Sequence, residues 1–262
     1  HLVNGGGTRR FAESQGRIEK TDAIDCEMIR DYAASLKDER LHFVKQRSEA
    51  QKRLKKSVRT RKNLLKARAI IANQFEDDLD PETARHLKSA LNSLDKNIAK
   101  VEAECDAAIA SDERLKELDR RFREVKGVGP CLSCTVLAQC PDIGDFNSKS
   151  IAKMCGNAPL DHESCTIKGK AKPRRGRSDL KKALYMAAVS ASRNNYILRE
   201  FYQRLVANGK ARKVALTAVA RRIAVLLNTI AKHPDFTPEK DPKDIAKATG
   251  KTQGRGRPRK SV

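Results

Sequence analysis

Apolar residues recur at helical spacing along most of this chain. From Leu87 to Ala108 the spacing alternates between four and three residues, which is typical of a helix that packs along a second helix. A looser stripe of the same period runs from Leu41 to Ala69 and is surrounded by charged residues. An acidic turn that ends at Pro81, a residue favoured at helix starts, separates the two stripes. The pattern therefore predicts an antiparallel αα-hairpin.

Shorter helical stripes follow the hairpin. One begins at Leu180, and a longer one ends before Pro234. The preceding segment, from Asn157 to Arg177, is predicted to be a loop. The part of the chain after the hairpin is therefore expected to be a set of packed helices.

The sequence Lys-Gly-Val-Gly-Pro, residues 126–130, lies between the hairpin and these helices. Gly127 and Gly129 permit backbone angles and a close approach that side chains forbid, so the next helix can begin with its free N–H groups pointing outward. Such a turn can bind a phosphate. The alternative is an ordinary glycine cap at the end of the preceding helix.

Composition favours a nucleic-acid partner. The chain has 55 Lys+Arg against 33 Asp+Glu, a net charge of +22, which indicates a polyanionic partner. Aromatic residues are 4% and Trp is absent, so the core must be built from aliphatic side chains, which suits packed helices. No stretch approaches the roughly 20 apolar residues of a membrane span, and no signal-peptide pattern opens the chain. We therefore expect a soluble, cytoplasmic, nucleoid-associated protein with no membrane partner.

Seven cysteines are present, and Cys131 and Cys134 form a C-x-x-C motif. No second C-x-x-C and no paired histidines complete a tetrahedral zinc site at a familiar spacing. An odd number of cysteines in an intracellular chain fits free thiols, several of them on apolar helix faces.

The segment 234–262 is rich in Lys, Pro and Gly and lacks periodicity, so it is expected to be disordered in isolation. Within it, Arg255 and Arg257 belong to a Gly-Arg-Gly-Arg-Pro sequence that resembles an AT-hook, in which two arginines enter the narrow minor groove of A·T tracts. The alternative is a basic tail that binds phosphates without sequence preference.

Two segments carry candidate chemistry. Asp22 and Asp25, spaced i, i+3 at a helix start, can share a divalent metal, or they are ordinary partners of the helix dipole. Ser164 lies near a run of cations, an arrangement that suits phosphoryl transfer to a serine with His162 or Glu163 as base, although such a neighbourhood is common by chance. The cations are Lys168, Lys170, Lys172, Arg174, Arg175 and Arg177.

Several segments follow one another in the order and spacing of a known family. They are Val3-Asn4, Arg10-Phe11-Ala12, Gly16-Arg17, Lys20-Thr21-Asp22, Asp25, the long hairpin, Lys126-Gly127-Val128-Gly129-Pro130, Gly156-Asn157-Ala158-Pro159, Ser164 and Arg175-Gly176. This series resembles the DEDD-type transposases of bacterial insertion sequences. That family joins a RuvC-like metal-binding domain, through a coiled coil, to a helical domain with a serine nucleophile, and its members are guided by a bridge RNA.

The resemblance implies a role for each candidate residue. Asp22 and Asp25 match the last two acids of a four-carboxylate site for two Mg²⁺ ions. Ser164 matches the serine that attacks a DNA phosphate and forms a phosphoserine link. Gly127 and Gly129 would contact a backbone phosphate, and the basic loop would hold the scissile strand or the guide RNA. The implied partners are DNA and a structured guide RNA. The hairpin pattern by itself indicates a coiled coil that contributes to a homo-oligomer, and the alternative is a spacer.

The expected fold is mainly α, with four parts. Residues 1–35 are the C-terminal remnant of a RuvC-like α/β domain, 36–125 the coiled-coil hairpin, 126–233 a helical transposase domain with a helix-hairpin-helix-like Gly-Val-Gly-Pro turn, and 234–262 the tail. In the family, two further acids lie upstream of the position of His1. The chain is therefore expected to be an N-terminally truncated transposase with weak or absent Mg²⁺ binding and no activity by itself. The alternative is a non-catalytic nucleic-acid-binding remnant.

Overall fold

The computed structural model describes residues 5–17, 21–36, 46–75, 79–157, 159–164, 167–173 and 176–238. The chain divides into two compact units, His1–Gln46 and Arg47–Val262. The first unit contains two helices, α1 (Gly5–Ser14) and α2 (Asp22–Ser35). They pack through the rings of Phe11 and Tyr32, whose centroids lie 5.6 Å apart.

The second unit begins with two long helices, α3 (Glu49–Ala72) and α4 (Pro81–Ala110). Ser48 and Gln51 form a capping box at the start of α3, and the Asp80 carboxylate accepts two backbone N–H groups at the start of α4. Ser48 contacts Asp112 (2.8 Å) and Arg61 contacts Glu102 (2.7 Å), so the start of α3 lies beside the end of α4. The two helices are antiparallel.

Burial along this helix pair is uneven. On α4, Leu87, Leu91 and Leu94 are half-buried, whereas Ile98 and the later seam residues are buried. On α3, Leu54 is completely buried in the same core cluster as the helices that follow. The base of the pair is therefore part of the helical core, and the distal end is more exposed.

The described residues of this unit contain six further helices: α5 (Glu113–Arg123), α6 (Pro130–Gln139), α7 (Ser148–Met154), α8 (Ser178–Asn194), α9 (Tyr196–Ala207) and α10 (Arg212–Lys232). The buried residues of their shared core are aliphatic, apart from Phe122 and four cysteines, and include Leu137, Leu184, Ile223 and Leu227. The prediction of a mainly α fold is confirmed.

The segment from Asn157 to Arg177 is not the continuous loop that was predicted. It contains an antiparallel β-hairpin of β1 (Pro159–Ser164) and β2 (Ile167–Pro173), irregular between Leu160 and His162. In β2 the three lysines at 168, 170 and 172 alternate with uncharged residues, as strand residues do, whereas β1 has no such alternation.

Helix α10 is long and apolar enough to cross a membrane by length and composition, contrary to the expectation that no stretch approaches this limit. It lies among α5, α7, α8 and α9, and its Val219, Ile223, Leu227 and Ile230 are fully buried. The apolar residues of α10 therefore form the centre of the helical core.

Candidate nucleic-acid interface

The Gly-Val-Gly-Pro turn connects α5 to α6. The C-cap of α5 is Glu124, and Gly129 is the N-cap of α6, so neither glycine is the ordinary C-cap that sequence left as an alternative. No side chain caps α6, and a Cβ added at Gly129 would meet nothing within 4 Å. The first turn of α6 is therefore open at the backbone, as a phosphate-binding turn requires.

Position 127 requires glycine because of its backbone angle and its packing against α8. Its φ is +100°, and a Cβ added there would lie 2.5 Å from the Cβ of Ala191 in α8. The side chain of Asn195 also donates a hydrogen bond to the Lys126 carbonyl at 3.2 Å. The turn is thus held firmly against the end of α8, and Gly127 is a packing residue as well as a candidate phosphate contact.

A cleft of about 1080 Å³ lies between α3 on one side and α6 and α8 on the other. Both glycines of the turn line it. It is also lined by the apolar side chains of Val58, Leu65 and Met186. We call it the basic cleft because of the cations around it, which are Arg47, Lys55, Arg59, Arg61, Lys62, Lys66, Arg177 and Lys182.

Some of these cations are neutralised within the protein. Arg61 pairs with Glu102 (2.7 Å), and Lys62 pairs with Asp179 at the start of α8 (2.6 Å). Lys55, Arg59 and Lys66 have no ion-pair partner among the described residues. Spaced four and seven residues apart, they lie on one face of α3 and give the cleft an uncompensated positive charge.

Arg177, a predicted nucleic-acid contact, has a structural role. Its guanidinium donates a hydrogen bond to the Gln139 carbonyl at the end of α6 and contacts the Cys140 sulfur at 3.7 Å. Its backbone N–H donates to the Met154 carbonyl at 3.1 Å. Arg177 therefore joins the base of the β-hairpin to α6 and α7.

The two ends of the β-hairpin are close together. Gly176 has a φ of +88°, and a Cβ added there would lie 2.5 Å from the Cα of Gly156. The hairpin thus leaves and re-enters the helical domain at one point, beside the α8 residues that line the basic cleft.

The candidate nucleophile lies in this hairpin. Ser164 is the last residue of β1, opposite Ile167 in the β-ladder. Lys168, Lys170 and Lys172 lie in β2. Four other predicted contacts lie outside the described residues: Arg174, Arg175, Arg255 and Arg257.

Asp22 and Asp25 lie in the first turn of α2, in the first unit, and both are exposed. The Thr21 hydroxyl caps this helix by accepting from the Ile24 N–H at 3.4 Å. Within the described ranges, no group of three His, Cys, Asp or Glu side chains could hold a metal ion. Two carboxylates provide too few fixed oxygens for near-octahedral Mg²⁺, so these residues do not form a sufficient site.

Sequence analysis did not identify the basic cleft. The signal was in α3, which has nine lysines and arginines and only Glu49 as an acid. In the sequence, these charges are seen only as residues that surround the apolar stripe of the hairpin. Only the packing of α3 against α6 places them opposite the glycine turn.

Comparison with known proteins gives matches to two separate parts of the chain. The model of the family described as Transposase IS116/IS110/IS902 matches residues 119–203, which include the turn, the β-hairpin and α8. A second transposase model, for the DEDD enzymes of IS110, matches residues 1–81.

One curated relative is the insertion element IS110 uncharacterized 43.6 kDa protein of Streptomyces coelicolor. It is 29% identical over 143 residues, which are 53% of this chain and 34% of that protein. The alignment thus spans about a third of the relative's length.

The helical domain and the two family matches place this chain among the transposases of insertion sequences. Within that class, both family models and the curated relative are similar to this chain through IS110-type transposases.

Proposed function

We propose that this chain belongs to an insertion-sequence transposase, an enzyme that cleaves and rejoins DNA strands. In this proposal, the chain is the part of the enzyme that binds the DNA. The observation that carries the proposal is the basic cleft, in which the open first turn of α6 lies opposite unpaired cations of α3. Helix N-termini and cations together bind phosphates of a nucleic-acid backbone. The family membership supports DNA as the substrate.

In this proposal, Lys55, Arg59 and Lys66 contact successive phosphates, and the backbone N–H groups after Gly129 contact one more. These contacts position the strand without reading its sequence. The family also suggests a divalent metal and a structured guide RNA as partners, a second copy bound through the helix pair, and a location in the cytoplasm with the DNA.

Ser164 is the proposed nucleophile. Its hydroxyl oxygen would attack a DNA phosphorus, displace a deoxyribose oxygen and form a phosphoserine ester that conserves the bond for rejoining. The cations of β2 would stabilise the charge that develops on the phosphate. Asp22 and Asp25 would supply two carboxylates of the metal site, and no step is assigned to a metal that the described residues do not hold.

The cleft is tested by replacing Lys55, Arg59 and Lys66 together with Ala and measuring duplex binding over a range of salt concentrations. Each lost phosphate contact should reduce the slope of log K against log salt by about 0.9, or about 2.7 in total. The matched control replaces Arg85, Lys88 and Lys96, which carry the same charge and are exposed on α4. Equal effects of the two triple variants would show that only net charge matters.

The nucleophile is tested in the complete transposase with Ser164→Ala. We expect loss of strand transfer and of the covalent protein–DNA adduct, with DNA binding unchanged. Ser178→Ala, at the exposed start of α8, is the control hydroxyl. Recombination that persists in Ser164→Ala would remove this residue from the mechanism.

A second candidate function is nucleic-acid binding without chemistry. The observation in its favour is that the described residues offer only two exposed carboxylates for a metal. Cleavage by the complete protein that continues after Asp22→Asn and Asp25→Asn would exclude these two acids from catalysis. Binding without any cleavage by the unaltered protein would favour this second function.

A further inference from the structure

We propose that Cys131 and Cys134 form a reactive dithiol that closes to a disulfide by exchange with a small disulfide such as oxidised glutathione. The two residues are the second and fifth of α6, immediately after the Gly-Val-Gly-Pro turn. Their C-x-x-C spacing has no role in the proposed transposase chemistry.

The helix geometry brings the two thiols together. Residues three apart in an α-helix have Cα atoms about 5 Å apart, which is within the range of native disulfides. Both side chains also line one cavity of about 340 Å³ between α3, α4 and α6. Both cysteines therefore border the same space.

The bond requires a small movement. Helical Cβ atoms three residues apart are about 5–6 Å from each other, whereas a disulfide needs about 3.5–4.5 Å. The first turn of α6 must therefore tighten by about 1 Å, which its uncapped start permits. The strain makes the bond easy to reduce, so the reaction is reversible.

The two thiols differ in the way that exchange chemistry requires. Cys131 is exposed, so a disulfide in solution can reach it, and its sulfur accepts a hydrogen bond from the Arg61 guanidinium at 3.5 Å. Cys134 is buried, and burial raises the pKa of its thiol to about 12. Cys131 is therefore the attacking residue, and Cys134 is the resolving residue.

The exchange has two steps. The Cys131 thiolate attacks one sulfur of oxidised glutathione, forms a mixed disulfide and releases one glutathione thiolate. Cys134, as it loses its proton, then attacks the Cys131 sulfur and releases the second glutathione. Two protein thiols are oxidised to one disulfide, one glutathione disulfide is reduced to two thiols, and the two thiol protons pass to the released glutathiones.

The proposal is tested on the full chain in glutathione buffers of increasing oxidised fraction. After alkylation and digestion, peptide mapping should show loss of the Cys131 and Cys134 thiols together and a bond between them. Cys26, which is also exposed, should form only a mixed glutathione disulfide. Reducing buffer should restore both thiols.

Two variants distinguish the roles of the cysteines. In Cys134→Ala, Cys131 should remain as a mixed glutathione disulfide, and in Cys131→Ser, Cys134 should remain reduced. A bond between Cys134 and Cys105, which lines the same cavity, would overturn the assignment. If the unaltered chain forms no Cys131–Cys134 bond in fully oxidised glutathione, the proposal is refuted.

Discussion

Replacing Gly127 with Ala tests the packing of the glycine turn. The residue has a φ of +100°, which costs an L side chain about 1–2 kcal/mol. The new Cβ would lie 2.5 Å from the Cβ and 2.7 Å from the Cα of Ala191, and such overpacking costs about 1–3 kcal/mol. We therefore expect Gly127→Ala to lower the free energy of unfolding by about 2–5 kcal/mol.

Gly129→Ala is the matched control, two residues away. Its φ of −95° and ψ of 176° suit any residue, and its Cβ would meet nothing within 4 Å. Only the weaker N-capping of Ala remains, at about 0.5–1 kcal/mol. The urea midpoint, followed by helical circular dichroism, measures both variants. Equal midpoints would refute the packing argument, because the two substitutions add the same methyl group.

Three further predictions concern buried polar groups and thiols. The Arg121 guanidinium donates hydrogen bonds to three backbone carbonyls at and beyond the end of α10 (2.7–2.9 Å). Arg121→Met should therefore lower the free energy of unfolding in urea by about 3 kcal/mol. Arg114→Met, at an exposed position, is the control and should change it little. Asn228→Ala leaves the Gly144 N–H and the Phe146 carbonyl without their hydrogen-bond partner. The free energy of unfolding should fall by about 2 kcal/mol, and a decrease of less than about 0.5 kcal/mol would contradict this role. Burial raises the pKa of Cys140 from an ordinary value of about 9 to about 11. Above pH 9 the unfolded chain therefore loses this proton first, and unfolding free energy should fall by up to about 1.4 kcal/mol per pH unit towards pH 11. Cys140→Ala should make that decline shallower, and an unchanged pH dependence would contradict it.

The helix pair and the helical core could be predicted because their signals are periodic. The seam from Leu87 onward and the proline at the start of α4 both lie where the pattern placed them. Apolar residues at helical spacing form a face that must be buried, and this face can be recognised in a single sequence.

The basic cleft and the β-hairpin could not be predicted for two different reasons. The charge on α3 is plain in the sequence, but the cleft that it lines is formed with α6 and α8, which begin 58 and 106 residues after α3 ends. Strand β1 has no period-2 alternation, so the sequence does not show a partner strand for the lysine-bearing β2. Gly127 shows a third case, because the proposed phosphate contact and the observed close packing against α8 would both require glycine.

The position of α10 at the centre of the core has a consequence for synthesis of the protein on the ribosome. Helices α5 to α9 emerge first, and their apolar surfaces have no complete partner until Ile223, Leu227 and Ile230 have left the exit tunnel. A polypeptide that stops before α10 would expose these surfaces and become a substrate for chaperones and proteases. Termination of translation between α9 and α10 would therefore yield a polypeptide that is cleared.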